Sequence, residues 1–390
     1  MRLKTLKEEL ELLKESHLFR TLKRVDSDQS SRITINGREL ISLCSNNYLG
    51  LANHQALKDA SIAAIRDYGN SAAASRLISG NMKIHERLED VTAELKGTET
   101  SLVFNTGYMA NAGALQALAE ERDAIFSDAL NHASIIDGCR LSRAKVFVYH
   151  HRDVPHLRSL LSMAAGYRRR IVITDSVFSM DGDIAPLPDI ITAVKDHDAI
   201  LIVDDAHATG VLGKTGHGSL EHFGLTDNGI IQMGTYSKAL GSFGAYIAST
   251  KQVKEYLINK ARAFIYTTAL PPSVIAASIA AIKILKEDHE ILNILWRTTR
   301  LFGERLKSLG FNTLDSETPI IPILTGGVED TLLFSKRLFE EGIYAAPIRP
   351  PTVPEGSCRI RTTVTAAHSE SDIEFCSGVF ETVGKELRII

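Results

Sequence analysis

Seven short apolar runs recur between residues 101 and 249: Ser101–Asn105, Ala124–Ser127, Lys145–Tyr149, Arg170–Thr174, Ala199–Val203, Gly229–Gly234 and Gly244–Ser249, with helical segments separating most of them. Several are β-branched and apolar on both faces, as strands buried between two layers of helices are. The alternation predicts an α/β fold with an open, mostly parallel sheet flanked by helices on both sides. Ahead of it, Met82, Leu88, Val91 and Leu95 keep helical spacing, with Asn81 as the expected cap and Gly97 as the stop.

Beyond Pro271-Pro272 the pattern changes. One long helical stretch is expected from Ser273 to Leu309. Short strands follow at Pro319–Leu324, Gly342–Ile348 and Cys358–Val364, between helices near Thr331–Glu341 and Glu370–Leu387. With 390 residues, 44% of them hydrophobic, the chain has material for two domains. The expected division is a large α/β domain over 46–270 and a smaller α+β domain over 271–390, which residues 1–45 join through an N-terminal helix and the segment Ile33–Leu43.

A net charge of −3, from 44 basic and 47 acidic residues, leaves no field to attract nucleic acid or anionic lipid. The one basic cluster, Arg168-Arg169-Arg170, reads as a solvated helix end. Cys44, Cys139, Cys358 and Cys376 are scattered and form no CxxC pair, so neither a disulfide framework nor a zinc site is expected. The N-terminus is amphipathic, with Leu3, Leu6, Leu10 and Leu13 on one face, and lacks the apolar core of a signal peptide. No apolar stretch approaches the ~18 residues of a membrane span. A soluble cytoplasmic protein with no metal, nucleic-acid or membrane partner is the expectation.

In an open α/β sheet, ligands bind outside the carboxyl ends of the strands. Polar residues collect there after five of the runs: Asn105 to Tyr108, Asp128 to His132, Asp175 to Met180, Asp204 to His207, and Thr235 to Lys238. Singly, each has a plain structural explanation. Asn105-Thr106-Gly107-Tyr108 precedes a helix expected over Met109–Ala119, whose N-terminus suits a phosphate but is also an ordinary helix start. Asp204 and His207 can face one ligand, or form a cap or a metal pair with Asp205. A lone His132 is more often structural than functional. Lys238, in Thr235-Tyr236-Ser237-Lys238-Ala239-Leu240-Gly241, has hydroxyls before it and small residues after it. A lysine desolvated in such a place can form an imine, although a surface loop carries the same letters. Five polar ends in register are harder to explain separately.

Together these motifs resemble the α-oxoamine synthase family of fold-type I enzymes that depend on pyridoxal 5'-phosphate (PLP). The resemblance runs from Ser45-Asn46-Asn47-Tyr48-Leu49-Gly50 through Gly69-Asn70-Ser71, Ser79-Gly80, Leu130 to Ser134, Val177 to Asp183 and Val203 to Gly210. It ends at Ile348 to Pro354 and Arg359-Ile360-Arg361. It implies a mostly parallel seven-stranded sheet with a smaller α+β domain, PLP as cofactor, and a homodimer. Ile348 to Pro354 with Thr365-Ala366-Ala367-His368 is most similar to members that join L-alanine to a pimeloyl thioester (pimeloyl-CoA or pimeloyl-ACP) in biotin synthesis.

The resemblance also implies roles. Lys238 holds PLP as an imine and then acts as base. Asp204 pairs with the pyridine nitrogen, His207 reaches the ring hydroxyl, and His132 stacks on the ring and assists at the keto oxygen. Ser179 lies near the cofactor, and Gly107, Tyr108 and Thr235 hold the phosphate region. Arg361 takes the amino-acid carboxylate, while Arg20 and Thr352 line the acyl side. Thr267 or Thr268 reaches the phosphate of a second subunit. Asp175 stands where many relatives have Glu, and Ser71 to Arg76 (SAAASR) where relatives have more glycine. The alternatives are a sister synthase using glycine or serine, an aminotransferase, a non-enzymatic binding module, and, remotely, a metal hydrolase on Asp204, Asp205 and His207.

Overall fold

The computed structural model describes residues 2–226 and 229–390, with side chains from residue 5 onward, so the side chain of Leu3 lies outside it. Contacts divide the chain into two units: residues 47–179 with 183–293, and residues 1–46 with 180–182 and 294–390.

The first unit is built on a seven-stranded sheet. Its strands, in chain order, are β1 (Thr100–Phe104), β2 (Ala124–Asp128), β3 (Lys145–Tyr149), β4 (Arg170–Asp175), β5 (Ile200–Asp204), β6 (Ile231–Thr235) and β7 (Ala245–Ser249). Their spatial order is β1-β7-β6-β5-β4-β2-β3. β7 alone is reversed, running antiparallel to both β1 and β6. Side chains two apart along a strand share a face. Ile125, Ile171, Ile173, Ile202, Ile231 and Ile247 enter one core layer, and Phe126, Val172, Leu201 and Val203 the other. That double burial is why these runs are apolar without alternation.

The helix expected around Leu88 spans Lys83–Lys96 and stops at Gly97, whose φ of 63° is a left-handed conformation that glycine adopts readily. Its cap is Met82 rather than Asn81; the Asn81 side chain instead accepts from Arg76 Nε (2.6 Å) and donates to Glu86 (2.9 Å). The arginine run is structural in a different way from a solvated helix end. Arg168 grips buried Asp123 through Nε and Nη2 at 2.9 and 2.7 Å, and Arg170 opens β4.

The expected long helix after Pro271 is two helices, Pro272–Glu287 and Glu290–Ser308. Asp288 separates them by leaving helical geometry, and its carboxylate accepts the N–H groups of Glu290 and Ile291. The first helix packs on Gln55–Tyr68 and Lys83–Lys96 of the sheet unit. The division therefore falls at 293/294 rather than at Pro271.

In the second unit, Cys358–Thr363 lies between antiparallel Ile320–Gly326 and Ala346–Ile348. The hairpin Arg32–Ile35/Arg38–Ser42 is extended in parallel by Ile343–Tyr344. Phe302, Phe311, Phe334 and Phe380 fill the core with Ile41 and Leu43 from the N-terminal segment. The insert 180–182 is fixed here too, Gly182 O accepting from Glu317 N (3.0 Å) and Thr318 Oγ1 (2.9 Å). Helix Arg2–Glu15 leaves Leu6, Leu10 and Leu13 exposed. Among the described residues no helix is long and apolar enough to cross a membrane.

Candidate active site

Parallel register brings the carboxyl ends of the central strands level: Asp175 lies opposite Asp204, and Asp204 opposite Met233. Around these ends is one cavity of 220 Å³. Its lining includes every residue expected at the cofactor: Gly107, Tyr108, His132, Ser179, Asp204, His207, Thr235 and Lys238. Ser134, Asp175, Ala206, Met233 and Ser237 complete it.

Each is held by its element. Helix Gly107–Leu118 starts directly after β1, with Thr106 capping through its hydroxyl, which accepts Met109 N at 3.1 Å. First-turn N–H groups have no partner within the helix, and the dipole makes that end attractive to an anion. The Tyr108 hydroxyl donates to Asp137, and that bond raises its pKa. Lys238 sits in the connection between β6 and reversed β7. Bonds from Tyr236 N to Gly244 O (3.0 Å), Gly241 N to Lys238 O (2.9 Å) and Gly244 N to Ser237 Oγ (3.1 Å) close that connection. The Thr235 hydroxyl also donates to Gly244 O, at 2.7 Å.

Asp204 is 3% exposed and accepts at both oxygens, from Ala206 N (2.9 Å) at Oδ1 and Asn111 Nδ2 (2.7 Å) at Oδ2. His207 Nδ1 is 2.7 Å from the buried Tyr48 hydroxyl. Asp175, although one methylene shorter than Glu, accepts the backbone N–H of His132 at 2.7 Å and so fixes the start of the loop that carries the ring. Burial and the charge of neighbouring Asp204 raise the Asp175 carboxyl well above the usual range, while Lys238 and the His132 N–H act the other way. His132 is lowered by desolvation, with Asp204 raising it and Lys238 lowering it further. Asp205 faces elsewhere. It is paired with buried Lys96 at 2.8 Å and accepts from Ser219, so it is not available to join Asp204 and His207 in a metal pair.

Of the four expected substrate residues, His132 lines the cavity, and Arg20, Thr352 and Arg361 belong to the second unit. Arg20 Nη2 lies 3.4 Å from Thr352 Oγ1. Arg361, 6% exposed on the strand Cys358–Thr363, donates to Asn46 Oδ1 at 3.0 Å. Asn105 Nδ2 donates to Thr267 Oγ1 (3.3 Å) and Thr268 O (2.8 Å).

Sequence reasoning does not single out Asn111, Ser134, Ser237 or the Tyr48–His207 pair. For Asn111 a signal exists. It is the one amide inside an otherwise small and apolar helix stretch, Ala110 to Leu115, four residues after Gly107, and it is 1% exposed.

Residues 38–376 match the family model for aminotransferase class I and II. The chain is 50% identical over 390 residues, all of both chains, to the 8-amino-7-oxononanoate synthase of Citrifermentans bemidjiense. It superposes with a TM-score of 0.94, at 30% identity, on serine palmitoyltransferase from S. paucimobilis with a bound PLP–myriocin aldimine, covering 100% of this chain and 99% of that one. For the 8-amino-7-oxononanoate synthase of Francisella tularensis the TM-score is 0.77 at 28% identity, over 90% of this chain and 98% of that one.

Proposed function

The chain belongs to the aminotransferase class I and II family and, within it, to the α-oxoamine synthases represented by these relatives, and on that premise we propose that it catalyses the PLP-dependent decarboxylative condensation of L-alanine with a pimeloyl thioester. The products are 8-amino-7-oxononanoate, CO2 and the free thiol of coenzyme A or acyl carrier protein, a step of biotin biosynthesis. The observation that carries the reading is the single cavity joining Lys238, Asp204 and His132.

The donor set fits PLP. The cavity offers a primary amine for the aldehyde, and a carboxylate whose two oxygens are already oriented by N–H donors and can face a cationic ring nitrogen. It also offers a helix N-terminus with the Thr235 and Ser237 hydroxyls for a phosphate. PLP, when bound, supplies an electron sink that acidifies the α-hydrogen of an amino acid.

The protein's own contributions follow. Asp204 favours the protonated pyridine nitrogen by opposite charge. His207, steadied by Tyr48, would hold the ring hydroxyl, and Ser179 would contact the cofactor. Gly107, Tyr108 and Thr235 receive the phosphate. Arg361 holds the alanine carboxylate with a two-point fork that fixes which α-bond is presented. The Lys238 amine takes the α-proton. His132 would stack on the ring and polarise the carbonyl oxygen of the acyl substrate, and Arg20 and Thr352 would contact the acyl chain. The working form is a cytoplasmic homodimer in which Thr267 or Thr268 reaches the partner's cofactor phosphate. Exposed Leu77, Ile78 and Tyr266 of the sheet unit support a covered face there.

The deciding experiment supplies purified holoenzyme with alanine, glycine or serine against several acyl-CoAs. Thiol release with L-alanine and pimeloyl-CoA, together with 8-amino-7-oxononanoate, is expected. Thiol release only with glycine and acetyl-CoA, or pyruvate from alanine without thiol release, would overturn the assignment. Sedimentation of the holoenzyme as a monomer would remove the dimer.

A further inference from the structure

We infer that Asn111 and Ser134 are positioning residues that connect Asp204 to His132 and hold the His132 imidazole as its Nε2–H tautomer.

The inference follows hydrogen atoms along one chain of contacts. A carboxylate only accepts hydrogen bonds. Asp204 Oδ2 lies 2.7 Å from the Asn111 amide, so the amide must offer its NH2 there. The second hydrogen of that NH2 goes to Ser134 Oγ at 2.9 Å. With its oxygen accepting from Asn111, the Ser134 hydroxyl directs its own hydrogen to His132 Nδ1, 2.8 Å away. The backbone N–H of Ser134 donates to the same nitrogen at 3.2 Å. Two donors therefore converge on Nδ1, which must be bare, and the ring hydrogen is on Nε2.

Two further observations agree. Asn111 Oδ1 is buried without a hydrogen-bond partner. An unmet acceptor in the interior is unfavourable; here the reverse orientation would be worse, because it would set that oxygen against the Asp204 carboxylate. The charged groups around the ring are Asp204 and Lys238, with Asp175 on its backbone N–H. Desolvation and the Lys238 charge lower the affinity of the imidazole for a second proton and outweigh the opposing charge of Asp204.

A neutral ring with hydrogen on Nε2 is a donor. It can hydrogen-bond an oxygen that is gaining negative charge, but its lone pair, on Nδ1, is taken up by Ser134, so Nε2 cannot serve as a base. Division of labour with Lys238 follows: the lysine removes the α-proton and the histidine attends the oxygen. The identity of that oxygen, a thioester carbonyl, rests on the function proposed above; the tautomer does not.

Nitrogen NMR of holoenzyme labelled with [15N]histidine tests this, with the His132 signals identified by their loss in His132→Asn. Between pH 6 and 8 a pyridine-type Nδ1 and a pyrrole-type Nε2 are expected. A pyrrole-type Nδ1, or an imidazolium, overturns the inference on wild-type protein alone, with no need for turnover. In Ser134→Ala and Asn111→Ala the tautomers should mix and kcat fall about tenfold, the equivalent of one hydrogen bond. KM for alanine should be unchanged, and Ser134→Thr, which keeps the hydroxyl, should restore both readouts. Wild-type tautomer signals retained in both alanine variants would equally overturn it.

Discussion

Tyr48 shows how much of this site depends on groups that do no chemistry. Its buried hydroxyl meets His207 Nδ1 at 2.7 Å and helps to hold the ring in place. Tyr48→Phe keeps the packing and removes that one bond. It is expected to weaken PLP affinity by about tenfold while leaving kcat near wild type, as read by titrating apoenzyme with PLP. Equal affinity in the variant would show that His207 needs no such support. Ala73 illustrates the opposite, a residue whose letter looks anomalous for a local reason. It is a non-glycine residue at φ 54° in the SAAASR stretch. The backbone there takes the left-handed form whether or not the side chain suits it, at roughly 1–2 kcal/mol.

At the scale of elements, the strands were the legible part. Buried strands need apolar side chains on both faces, so the inner strands of the sheet stand out as runs, and the polar ends of several mark the cavity. Less legible were contacts made across the sheet. The pairing of Lys96 with Asp205, or of Asn111 with Asp204, joins residues 109 and 93 positions apart, and no local pattern encodes either. The helix break at Asp288 was hidden because the residues around it have strong helical periodicity and no proline.

His151 belongs to the same class. It sits just past β3, its Nδ1 2.9 Å from Asp128 at the end of β2 and its Nε2 2.8 Å from Asp183, which also receives Arg152. Desolvation alone would lower its pKa; the two carboxylates prevail and raise it to about 9. A folded-state pKa above the unfolded 6.5 means the charged network stabilises fully below pH ~6.5. That stability is then lost as pH rises through about 9. After allowance for partial exposure the contribution is about 1–3 kcal/mol. Thermal melts from pH 6 to 10 should show a decline that His151→Gln lacks; parallel curves for the two proteins would remove the network from the account.

For the whole molecule, the insert 180–182 is where the chain leaves the sheet unit and returns to it. Gly182 has φ 74°, and a Cβ there would lie 2.2 Å from Ile320 O. Gly182→Ala combines a left-handed alanine with an overpacked contact to backbone. It is expected to destabilise by about 2–5 kcal/mol, measured as a lower melting temperature, and a melt within a degree of wild type would contradict it.

The discontinuity of the second unit also has a consequence for the order of events at the ribosome. Ile41 and Leu43 are made early, yet the side chains that cover them, among them Phe302, Phe334, Ile360 and Phe380, are made last. The sheet unit, complete at residue 293, can close while the chain is still being extended. The first 46 residues must wait for the final hundred or so, with their apolar side chains uncovered, so the chain's beginning is the last part to find its place.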